Sequence, residues 1–173
     1  MTYTPSTHPA DWISSGTVDE ATCCLLRELL QRAASATRAE NTALWLAGED
    51  HLHATLGTGP HAAHFVGAFK QPLDRGIVSL VHASAQAVCE NAIASNPEHS
   101  PVLDKRLGIV TDAMIAVPLA ISGSIAGVIT CVHTRPEGQS SPPAEFRPRD
   151  LAEFEFAAAC CGRILEAAIL GAH

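Results

Sequence analysis

The chain has 173 residues, 47% of them hydrophobic and 17% charged, a balance that excludes general disorder and supports one compact domain with a real core. Lys plus Arg total 11 against 18 Asp plus Glu, and the formal charge of −7 argues against a nucleic-acid partner. The longest apolar run is too short for a bilayer and MTYTPSTHPADWISSG has neither a basic nor an apolar export region, so the expectation is no membrane partner, a cytoplasmic location and six reduced cysteines.

Residues 1–16 read as a flexible lead rich in Thr, Ser, Pro and Gly, and residues 17–173 as a single domain. Thr17 stands three residues before Glu20, the spacing of a capping box at a helix start. Leu26, Leu29, Ala33 and Ala36 follow at helical spacing, widened by Leu25 and Leu30. TALWLAG, a GED turn and HLHATLG predict a hairpin, and a third strand is expected from Phe65 to Lys70. Asp74 and Arg75 then introduce a short helix ending near Ala85, and AVCEN is short enough for an edge strand.

SNPEH is a turn, and Ser100 with Pro101 predicts the cap and first position of a loop helix through about Leu107. DAMIAVPLA and SIAGVITCVHT, joined through Ser122, Gly123 and Ser124, are expected as paired central strands. After an exposed loop at 135–145, a last helix opens at Pro148, with Leu151, Phe154, Ala158, Cys161, Leu165 and Ala168 stepping by three and four. That seam, added to the first helix, predicts a homodimer through the terminal helices, helped by close approach at Ala158, Cys161 and Gly162.

Strand parity sorts the two faces of the sheet. If Ile115, Val117 and Leu119 lie under the terminal helices, then Asp112, Met114 and Ala116 face away, joined by Thr130 and Val132. Polar groups able to hold a small molecule are Glu90, Asn91, His99, Asp104, Thr111, Asp112 and Thr130. Asp112 also has a competing role as a strand-start turn contact. The alternative for Met114 and Val132 is a second solid hydrophobic layer.

The order PLDRGIVSLVHAS, SNPEHSPVLDKRLGIVTDAMIAVPL and GSIAGVITCVHT, between a leucine-rich helix and FRPRDLAEF, resembles the GAF family of ligand-binding signalling domains over roughly Val18 to Leu170. The resemblance implies an α+β fold related to PAS domains. It has a central five- or six-stranded antiparallel sheet, the N- and C-terminal helices on one face, and a ligand pocket with short helices and loops on the other. It implies a sensory or regulatory function, with a small molecule entering the pocket and the terminal helices reporting to an effector domain or partner protein. It also implies that residues 75–111 close the cavity, so His82 and His99 become candidate ligand donors or axial haem ligands. The candidate ligand-binding set is Met114, Asp112, Thr130, Val132, Thr111, His99, His82 and Asn91. Asn91 stands where the family often has an acidic residue. No catalytic residue, metal site or named cofactor is expected.

The alternatives are an enzyme resembling the free methionine sulfoxide reductases and a ligand-free dimerisation module. The reductases' pocket cysteines fall on Val78 and Leu107 and their substrate-holding Glu on Met114, while Cys89 and Cys131 read as structural. No cysteine precedes a histidine, as bilin attachment often requires, and no Asn-Lys pair opens a cyclic-nucleotide motif. Nitric-oxide-responsive relatives place a His and a Cys where Asp112 and Met114 stand, so their iron-ligand set is not evident here. His51 and His53 share a strand face, with His61 and His64 in the next loop, so a four-imidazole cluster for metal or haem is open, against a solvated reading. The Cys23–Cys24 and Cys160–Cys161 pairs read as small apolar packing, since neighbours on a helix diverge by about 100°.

Overall fold

The computed structural model describes residues 8–171, and the first seven residues of the expected lead lie outside this range. Six strands form one antiparallel sheet in the order β3-β2-β1-β6-β5-β4. The strands are β1 (Asn41–Ala47), β2 (His51–Thr58), β3 (Lys70–Pro72), β4 (Val88–Glu90), β5 (Ile109–Ile121) and β6 (Ser124–Pro136). The long terminal helices α1 (Glu20–Thr37) and α5 (Pro148–Gly171) cover one face, and the short helices α2 (Ala62–Phe65), α3 (Ile77–Ser84) and α4 (Val102–Leu107) belong to the other.

Helix α1 begins two residues later than the capping-box spacing predicts. Its cap is Asp19, whose carboxylate accepts from Thr22 N at 2.8 Å. The buried stripe is Cys23, Leu26, Leu30, Ala33, Ala34 and Thr37, and it excludes Leu25 and Ala36, which face solvent. Part of the expected lead is ordered: Pro9–Asp11 form a 3₁₀ turn, Ala10 is buried, and Trp12 and Ile13 pack on the core beneath the helices.

Helix α5 turns its seam inward. Phe154, Ala158, Cys161 and Leu165 are buried against the sheet and α1. Gly162 approaches so closely that a Cβ there would collide with the Ala120 carbonyl of β5. The close approach expected for a second copy is therefore taken up within the chain, and so is most of the seam.

The expected third strand between Phe65 and Lys70 is displaced. Residues 62–65 make one helical turn, Gly67 takes φ +75°, which interrupts an extended run, and the strand begins at Lys70. In α4, Pro101 takes the cap position without a side-chain bond, so Ser100 and Pro101 sit one place earlier than expected.

Bulges decide which side chains reach which face, two of them beside the cavity-forming positions and a third at Ala126 of β6. In β2, Leu44 pairs with Leu56 and Trp45 with Ala54, leaving Thr55 extra. Leu52 and Ala54 consequently face the short helices while Leu56 faces the long ones. In β5, Thr111 pairs with Thr134 and Ala113 with His133, leaving Asp112 unpaired. Below that point alternation is regular: Ala113, Ile115, Val117 and Leu119 lie under the long helices, Met114 and Ala116 opposite.

Candidate functional site

Away from the long helices, the sheet and the segment from α2 to α4 enclose a cavity of about 80 Å³. A cavity of this kind needs about 10–15 Å³ to hold one water, so there is room for several water-sized groups. Its floor is built from strand register. Asn41 of β1 lies opposite Val132 of β6, which lies opposite Met114 of β5, and Ala43 lies opposite Thr130 in the next row. Met114 and Val132 are only partly buried although their strands are interior to the sheet, because they line the cavity.

One wall is aromatic. Trp45 stacks with Phe65 at a centroid distance of 6.5 Å and meets Phe69 edge-on at 6.0 Å. The Trp45 Nε1–H donates to Thr130 Oγ1 at 2.9 Å, which locks the indole and leaves the hydroxyl proton of Thr130 for another acceptor. Phe65 and Phe69 reach this wall because residues 62–69 leave the sheet, so the expected strand concealed them.

The opposite end is polar. Asp104 of α4 accepts from Thr111 N at 2.9 Å on Oδ2 and from Thr111 Oγ1 at 2.8 Å on Oδ1, and His99 Nε2 lies 3.3 Å from the same Oδ2. Burial alone would raise the Asp104 pKa, but the hydrogen bonds from His99 and Thr111 outweigh it and hold the carboxyl below its ordinary 3.8. Gly76, at φ +89° before α3, lies against Gln71, whose amide donates to the Arg75 carbonyl at 2.7 Å; a Cβ there would sit 2.8 Å from that amide nitrogen.

Asn41 is the feature that sequence reading missed. It is buried, with 3% exposure, and its Oδ1 accepts from His61 N at 3.0 Å, which fixes the orientation of the amide. Its Nδ2 is buried with no partner. Such an unmade donor costs about 1–3 kcal/mol unless something in the cavity accepts from it. The signal available in the sequence was parity, since Asn41 precedes Ala43 and Trp45 by even steps.

Of the expected ligand set, Met114, Thr130, Val132, Thr111 and His99 meet at this cavity. Asp112, His82 and Asn91 do not. The β5 bulge turns Asp112 to Arg135 Nε at 2.9 Å and gives its place in the wall to Thr111. Asn91 donates to the Phe146 carbonyl at 3.0 Å and accepts from Phe146 N at 2.8 Å, clipping the approach to α5. His82 lies on α3 near the Ile125 carbonyl, and burial lowers its pKa, partly offset by that carbonyl; its Nε2 is buried without a partner. Glu90, the remaining polar candidate of the edge strand, accepts from Ala92 N and Asn96.

The four imidazoles of the hairpin do not converge. His51 and His53 alternate with Leu52 and Ala54 and so face away from the cavity, whereas His61 lines it and His64 is exposed. Among the described residues no group of three or more His, Cys, Asp or Glu side chains is placed to hold a metal ion. No cysteine lines the cavity among the described residues. Cys131 lies beneath the long helices, where burial raises its pKa well above 9.0, and burial likewise pushes Cys161 up to about 12. Val78, Leu107 and Met114, the positions that reductase-like chemistry would use, all line the cavity as apolar side chains. No helix among the described residues is long and apolar enough to cross a membrane.

Solved structures share this arrangement. The chain is similar to the GAF domain of a phosphoenolpyruvate-protein phosphotransferase from Coxiella burnetii, at 15% identity over 95% of each chain with a TM-score of 0.71. It is also similar to free methionine-R-sulfoxide reductase from Neisseria meningitidis in complex with its substrate, at 20% identity, 94% of this chain, 87% of that one and a TM-score of 0.64. The GAF-B domain of DevS from Mycobacterium smegmatis matches at 15% identity over 87% of this chain and 96% of that one, with a TM-score of 0.63. At these identities the likeness carries the fold alone. No curated protein matches the sequence. A GAF domain family model matches residues 24–165, and on that match the chain belongs to the GAF domain family, whose members are commonly sensory and ligand-binding.

Proposed function

We propose that this chain is a regulatory domain that binds a small molecule in the cavity between the sheet and α2–α4 and has no catalytic role. The observation that carries the reading is that Met114 and Val132, on interior strands, are only partly buried and line the cavity, where a purely structural layer would be packed solid. Ligand entry would bias α4 and β5–β6, and α1 and α5, packed on the far side of those strands, would report the change to an effector domain or partner protein. The reductase-like alternative is disfavoured because its cysteine and glutamate positions hold Val78, Leu107 and Met114. The cytoplasmic location and the homodimer belong to the same proposal. The dimer rests on Leu25 and Phe156, large apolar side chains left 49% and 68% exposed on the two long helices.

The test is Met114→Trp, which fills the cavity floor. Native mass spectrometry and absorption spectra of purified protein should show any retained molecule lost from the variant while its circular dichroism and melting stay near those of the parent chain. If the variant unfolds, the face is a solid hydrophobic layer and the scaffold reading replaces the sensory one.

A further inference from the structure

The chemistry of the cavity wall restricts what it can take, and the restriction rests on reading the cavity as the ligand site. Two donors stand on adjoining rows of the floor. Asn41 Nδ2 is buried and unpartnered, and Thr130 Oγ1, which accepts from Trp45, keeps its own proton. The Asn41 amide cannot be reversed to relieve this, because its Oδ1 is held by His61 N. Beside the donors lies the aromatic wall of Trp45, Phe65 and Phe69, with Phe65 nearly parallel to the indole and Phe69 edge-on to it, in which the indole N–H is already engaged and only apolar ring atoms are offered.

Charge supplies the second restriction. Among the described residues no lysine or arginine lines the cavity. Lys105 and Arg106 of α4 are exposed. The acidic side chain at the polar end, Asp104, is occupied by Thr111 and His99. A carboxylate or phosphate would therefore meet no lysine or arginine, only the imidazoles of His61 and His99, the latter already paired with Asp104, and an ammonium group would find its carboxylate engaged. A hydrocarbon would leave the Asn41 donor unmade.

We propose that the cavity takes a small, uncharged molecule bearing a carbonyl-type acceptor, with the acceptor on Asn41 Nδ2 and Thr130 Oγ1 and its apolar body against Trp45, Phe65 and Phe69. The ligand is thus recognised as an amide, lactam or similar neutral carbonyl compound and discriminated from its acid.

Three probes of nearly one shape test this: benzamide, benzoate and toluene, followed by saturation-transfer NMR and titration of the protein's amide signals. Benzamide should bind at least about tenfold more tightly than the other two, a ratio that corresponds to about 1.4 kcal/mol. Asn41→Asp, which keeps the acceptor for His61 N and removes the donor, should weaken benzamide by about tenfold or more. If that variant does not fold, Thr130→Val carries the same expectation. Benzoate or toluene binding as well as benzamide, with all binding abolished by Met114→Trp, would overturn the ligand class and leave the site standing. Benzamide binding unchanged in both Asn41→Asp and Thr130→Val would also overturn it. If none of the probes binds in a way that Met114→Trp affects, the proposal falls together with the site.

Discussion

His82 has a buried nitrogen without a partner, and burial keeps its folded pKa below the ordinary 6.5. Its neutral form is favoured in the fold, so stability is complete above about pH 6.5 and falls as the pH drops through that value toward the folded one. His82→Leu should raise the melting midpoint, by an amount equivalent to about 1 kcal/mol, and should help more at pH 5.5 than at pH 8. Asp104 acts in a different window. Its depressed pKa stabilises the fold above 3.8 and the contribution is lost as the pH falls below that value through the folded pKa. Asp104→Asn should cost about 1–3 kcal/mol in a denaturant titration at pH 7, because the Thr111 donors and His99 lose their carboxylate. It should also flatten the acid limb of stability, leaving there the contributions of Asp19, Glu20 and Asp74, whose pKa values are lowered as well.

Elements were legible where one period ran undisturbed. Ser122 and Gly123, both at positive φ, close the hairpin between β5 and β6 as the Ser-Gly-Ser sequence implies. The edge strand near Cys89 and the last helix from Pro148 follow from equally local signals. What escaped was non-local. Thr55 and Asp112 are extra residues only relative to their partner strands, so nothing in their own neighbourhood announces that alternation slips there. Hence five ligand-set residues meet at the cavity, Asp112 is turned to Arg135, and the aromatic wall went unread behind a misplaced strand. The contact of α5 with the sheet is similarly invisible until Gly162 is seen against the Ala120 carbonyl. Gly162→Ala should lower stability by about 1–3 kcal/mol in thermal or chemical denaturation, since backbone must move to admit the methyl group. The same substitution at Gly138, where a Cβ meets nothing within 4 Å but φ is +81°, provides a comparison for backbone strain without collision.

For the whole molecule, the sequence foretold the layered plan and assigned its apolar excess to the wrong place. Phe154, Ala158, Cys161 and Leu165 are consumed by the chain's own core, so the proposed dimer depends on what remains outside, chiefly Phe156. Phe156→Lys should leave circular dichroism and melting essentially unchanged while shifting sedimentation from dimer toward monomer at tens of micromolar. A monomer in the parent protein at that concentration would remove the dimer from the proposal.

The sheet ends on both sides in strands of only three residues, β3 with Pro72 and exposed Lys70, and β4 held to β5 through Val88, Cys89 and Glu90. Short borders of this kind, one of them carrying proline and lysine, are poor templates for another chain's backbone. The fold is thereby guarded against growing sideways into fibrils or strand-swapped aggregates.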